Sequence, residues 1–185
     1  IKTLWDEANK EGSGLLDAMK PMPKELDGTT SPTPQEGQAG YKGPQPIVDG
    51  YNNWYDWAVN NWGTKWDVEL EGLEFTDNGD GTSMIHGSFE SAWAPPIEAY
   101  NKFLDDMDGC SIEADYHEPG MDFMGEYDNG DDTCYDQLYG QSARRPEYPH
   151  YQKGDCRRMR PRDASASPAR RLRSRVLSQP CNSNR

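Results

Sequence analysis

The sequence predicts an α+β domain, a single antiparallel sheet with helices on one face, followed by an arginine-rich tail that stays unfolded. Three observations lead there. Large apolar residues concentrate between Trp54 and Tyr127, helical and strand periodicities alternate within that stretch, and every arginine lies at or after Arg144. At 34% hydrophobic and 28% charged, with mean hydropathy −1.04, an even spread would leave the chain marginal. Clustering makes a core possible, and 185 residues suffice for one domain with an appendage.

Thr3 to Glu11 reads as a short helix, with Thr3 as a candidate N-cap and Gly12 as a stop. Leu15, Leu16 and Met19 then run into Pro21 and Pro23, which end any helix. Residues 27–50, rich in Gly, Pro, Thr and Ser, read as a long surface loop. Tyr51, Trp54, Tyr55, Ala58 and Trp62 form the stripe of an amphipathic helix that ends at Gly63.

Trp66, Val68, Leu70, Leu73 and Phe75 follow a period near two, as in a half-exposed strand. Asn78-Gly79 and Asp80-Gly81 turn the chain into a return strand from Thr82 to Trp93. Pro95-Pro96 opens a helix whose buried face is Ile97, Tyr100, Phe103, Leu104 and Met107, with Asp108-Gly109 as its end. Ile112, Ala114 and Tyr116 alternate with polar residues as another strand. Pro119-Gly120 turns the chain, Met121, Phe123 and Gly125 suggest a last short strand, and Asp128 to Asp132 is an acidic loop.

Residues 1–142 hold seven lysines against 29 acids, a net −22, whereas 143–185 carry twelve cations against three acids, or +9. The acidic body repels nucleic acid and anionic membranes unless its surface imitates a phosphate backbone. No run approaches a membrane span of about 18 apolar residues. Cys110, Cys134, Cys156 and Cys181 show no C-x-x-C pair, so reduced thiols and a cytoplasmic setting in a host cell are expected. Arginine runs such as Arg157 to Arg162 and Arg170 to Arg175 read as a disordered basic arm or, more in keeping with their abrupt onset, as a change of reading frame. A start at Ile1 reads as a fragment.

The chemistry-bearing motifs are weak. Asp77 to Gly81 and Asp128 to Asp132 resemble calcium loops, but glycine stands where an EF-hand needs an oxygen ligand and no closing glutamate follows. His117 and Glu118 are a candidate acid-base pair, yet neighbours in a strand point to opposite faces. No phosphate-binding, dinucleotide, nucleophile-elbow or zinc-protease motif occurs, so no catalytic residue, metal ligand or cofactor is assigned.

Trp54-Tyr-Asp-Trp57, Asn61-Trp-Gly-Thr-Lys-Trp-Asp67, Phe89-Glu-Ser-Ala-Trp-Ala-Pro-Pro96 and Tyr116-His-Glu-Pro-Gly120, with Pro21-Met22-Pro23 upstream, resemble the YubB ferredoxin-like family of plasmid and phage-related proteins over about residues 1–130. The resemblance implies a β-α-β-β-α-β fold whose opening strand is missing here, which would leave a gap between the fold's third and fourth strands. It carries no catalytic residue, so the motif positions Trp54, Trp57, Trp62, Gly63, Lys65, Trp66, Trp93, Pro95, Pro96, Tyr116 and Gly120 read as structural. The five tryptophans are expected to form one core, with Trp66→Ala or Trp93→Ala costing about 3–5 kcal/mol. Functionally, a non-enzymatic accessory domain of a mobile genetic element is expected, binding a host or phage protein. The alternatives are an acidic DNA mimic and a weak hydrolase using His117 and Glu118.

Overall fold

The computed structural model describes residues 1–118, 123–136, 144–145, 148–154 and 171–177. Two short helices, α1 (Lys2–Ala8) and α2 (Leu15–Met19), precede a single 3-10 turn at Lys24–Leu26. The first helix starts one residue before the expected cap, with Ile1 as its N-cap and no side-chain cap bond. The 27–50 stretch carries no helix or strand beyond an isolated bridge between Val48 and Tyr51.

Helix α3 (Trp54–Asn61) is capped by Asn53, whose side-chain oxygen accepts the Asp56 N–H at 2.8 Å. Gly63 follows with φ of 83°, the left-handed conformation that ends a helix and that glycine adopts without strain. Helix α4 (Ile97–Asp106) begins directly after Pro95-Pro96 and buries Ala99, Tyr100 and Phe103. Met107 departs from the expected face: it follows the helix and is exposed.

Strands β1 (Leu73–Asp77) and β2 (Ser83–Ala92) form the expected hairpin. Residues 66–72 are not strand, because Asp67 is committed to backbone groups elsewhere. β3 (Glu113–Glu118), β4 (Phe123–Asp128) and β5 (Asp131–Asp136) form an antiparallel meander. The expected acidic loop at 128–132 is instead a tight turn, with Asn129 at φ 47° and Gly130 at φ 104°, as Asn-Gly hairpins require. The turn expected at Pro119-Gly120 lies outside the described residues.

Of the arginine-rich tail, most lies outside the described residues. Its described stretches are extended and paired: β6 (Arg144–Arg145), β7 (Tyr148–Gly154) and β8 (Arg171–Leu177). The sheet order is β1-β2-β8-β3-β4-β5-β7-β6, so β8 lies between β2 and β3, antiparallel to each. Cys110 and Cys134 are disulfide-bonded, where the sequence pattern leads one to expect thiols.

One sheet face, carrying Leu73, Ile85, Phe89, Ala114 and Tyr127, packs with Leu15, Leu16, Trp57, Ala58, Tyr100 and Phe103 from the helices in one core. A smaller cluster gathers Tyr116, Phe123 and Cys134. There the Tyr116 ring covers Gly125, its register partner: a Cβ at Gly125 would lie 2.2 Å from the phenol and 2.6 Å from the Thr133 carbonyl oxygen. The Tyr116 hydroxyl donates to Asp132 at 2.7 Å, and burial, with Asp132 adding to it, holds the phenol well above its ordinary pKa. Gly125→Ala is expected to destabilise the fold by about 2 kcal/mol in urea unfolding, since ring and strand must both shift. Tyr116→Ala, which removes the ring from over residue 125, should lower the cost of Gly125→Ala only in part, because the clash with the Thr133 carbonyl remains.

Candidate functional site

The turn from Trp62 to Asp67 ties together three elements, α2, the end of β2 and the start of α4. The Trp62 indole N–H donates to the Lys20 carbonyl at 2.8 Å, fixing the end of α2. Gly63 lets the chain turn close against the start of α4, where a Cβ would lie 3.3 Å from the Glu98 nitrogen. The buried Thr64 hydroxyl donates to the Ala92 carbonyl at 2.8 Å, fixing the end of β2.

Asp67 completes the turn. Its carboxylate accepts the N–H groups of Leu16 at 2.7 Å, Asp17 at 2.9 Å and Val68 at 2.7 Å. It therefore caps α2 from 50 residues away, in place of Gly14, which has no side chain to do so. Burial raises the pKa of this carboxyl against the opposing pull of its three donors.

Lys65 lies between two indoles, with its ammonium 3.7 Å from the Trp66 ring centroid and 4.1 Å from that of Trp93. Desolvation there lowers its pKa. Trp93 itself holds φ of 68°, rare for a bulky residue. The expected five-tryptophan core is thus corrected. Trp57 and Trp62 are buried and meet edge to face at 5.3 Å, but Trp54 is only partly buried against Tyr55, and Trp66 is 42% exposed. Alternation along 66–75 points Trp66 inward, and the absence of a strand there releases it.

Between this turn and β2 runs a cleft of about 510 Å³, lined by Trp66, Asp67, Glu69, Glu71 and Gly72 on one side and by Ser88 to Ala92 on the other. It follows the part of β2 beyond Gly87, where the register with β1 ends. Glu69, Glu71 and Glu90 are exposed, so the cleft couples an accessible indole to carboxylates.

The other candidate residues are not brought together. Glu118 is buried at 2% exposure while His117 is half-buried, and their register partners are Phe123 and Met124, consistent with opposite faces of β3. The carboxylates of the first acidic turn are used within it, Asp77 accepting from the Gly79 N–H and Asp80 from the Thr82 N–H, each at 2.9 Å. Among the described residues no group of His, Cys, Asp and Glu is arranged to hold a metal ion, and no helix is long and apolar enough to cross a membrane. Gly120 lies outside the described residues.

Residues 62–146 match the family model of the ferredoxin-like domain in Api92-like protein. The match opens on Trp62, the first residue of the tying turn. A ferredoxin-like α+β domain is what this segment and the helices packed on its sheet form. No curated protein and no solved structure matches the chain.

The geometry separates the motif residues by what their loss costs. Trp57→Ala should cost about 3–5 kcal/mol, Asp67→Ala about 2 kcal/mol through its orphaned N–H groups, and Trp66→Ala about 1 kcal/mol through the lost cation-π contact. Urea titration of the three variants checks the order.

Proposed function

We propose that the chain is a non-enzymatic accessory domain that binds a protein partner through the cleft beside Trp66, with a phage or plasmid setting as the resemblance of its motifs implies. The observation that carries this reading is the exposed Trp66 ring set beside the exposed Glu69 and Glu71. An accessible aromatic anchor with a charged rim is the usual composition of an interaction hot spot. Carboxylates around it favour a partner surface with lysine or arginine next to apolar residues. The separation of His117 from Glu118 supports the non-enzymatic part of the reading, because an acid-base pair must converge on one substrate atom.

The test is capture from a host lysate with the immobilised full-length chain, at low salt and at about 0.5 M salt, where exposed charge pairs are screened. One protein retained at both salt levels, and lost with Trp66→Ala, is the expected result. Salt-sensitive capture of many DNA-binding proteins, unaffected by Trp66→Ala, would replace this reading with mimicry of a nucleic-acid backbone.

A further inference from the structure

Apart from the cleft, the sheet contains a second feature. Among the described residues β2 and β3 do not pair with one another; each pairs with β8, which comes from far beyond β5 and outside the family match. In this slot β8 runs antiparallel to both neighbours. Without an occupant, two rows of backbone N–H and C=O groups would face each other unpaired in mid-sheet.

The register shows what the slot selects. Leu172, Ser174 and Val176 stand opposite Ser91, Phe89 and Gly87 of β2, and the latter two also opposite Tyr116 and Ala114 of β3. Ser91, Phe89, Tyr116 and Ala114 are buried, so these positions belong to the core face. Arg173 stands opposite Glu90 and His117, and Arg175 opposite Ser88 and Asp115. Glu90 and Asp115 are exposed, so these positions belong to the outer, acidic face. An occupant alternating basic with small or apolar residues satisfies both faces, and opposite charges directly across a ladder are stabilising.

We propose that the space between β2 and β3 is a strand-acceptor site, filled here by Arg171–Leu177 and open to a partner protein's extended segment in which arginine alternates with small or apolar residues. Main-chain pairing on two edges supplies affinity, and the alternation of the two faces supplies specificity, as in other strand-addition complexes. The chain's own β8 then acts as an internal competitor.

The experiment uses the full-length chain, its Ser174→Pro variant and a labelled synthetic peptide with the sequence of residues 171–177. Proline in the middle of a central strand removes a ladder donor and disfavours docking. The peptide is expected to bind the variant at least about tenfold more tightly than the wild type, whose slot is filled, and replacing its three arginines by glutamate should abolish binding. In hydrogen exchange, amides of β2 and β3 should lose protection in the variant and regain it with peptide, while the β1–β2 pairing stays protected. If Ser174→Pro does not fold alone, its recovery on adding peptide supports the site. Arg173→Glu with Arg175→Glu, which keeps every backbone donor, serves as the second acceptor. No peptide binding to a folded variant, or unchanged protection of β2 and β3, overturns the proposal. Loss of lysate capture with Trp66→Ala reports on the cleft alone and is separable from either outcome.

Discussion

The Asp67 carboxylate is the interaction on which the arrangement of the helical layer depends. By accepting the Leu16 and Asp17 N–H groups it begins α2 at a place where the local sequence supplies no cap. The Trp62 indole closes the other end of the same helix through Lys20. One short turn therefore holds both ends of a five-residue helix that would be far too short to persist in water. With α2 held, Leu15, Leu16 and Met19 enter the core. Through Thr64 and Gly63 the turn also sets where β2 ends and where α4 begins. The tryptophans of this region thus serve two different ends. Trp57 and Trp62 fill space in the core, whereas Trp66 and Trp93 enclose a lysine at the surface.

Periodicity reveals the fold where local pattern and tertiary packing agree. The helix beginning near Trp54, the helix after Pro95-Pro96, the β1–β2 hairpin and the β3 strand follow from apolar spacing and turn residues, and they occur within a few residues of where that spacing puts them. It misplaces 66–72, because an alternating pattern does not reveal that Asp67 is committed to two N–H groups of a remote helix. β5 is hidden by its charge: Asp131 and Asp132 argue for solvent, while the hairpin signal beside them, Asn129-Gly130, argues for a returning strand. The cleft is not legible at all, since it arises from the length difference between β1 and β2 and not from any motif.

The described stretch Arg171–Leu177 illustrates a different limit. Arg171 to Leu177 alternates with the period of a strand, yet its arginine density on an otherwise arginine-free background reads as an unfolded arm. Composition weighs a segment against water. A strand in mid-sheet is instead weighed against the groups it pairs with, and β2 and β3 offer ladders on both sides.

Electrostatics works in the same direction. A body of net −22 opposes its own compaction, because carboxylates on β2 and β3 are brought onto one sheet. The register places Arg173 opposite Glu90 of β2 and Arg175 opposite Asp115 of β3. The strand that pairs with both ladders thus also brings positions of opposite formal charge beside these carboxylates. Opposite net charges on body and tail, which the sequence alone presents as two unrelated polymers, meet at the described strand Arg171–Leu177, which shares one sheet with β2 and β3.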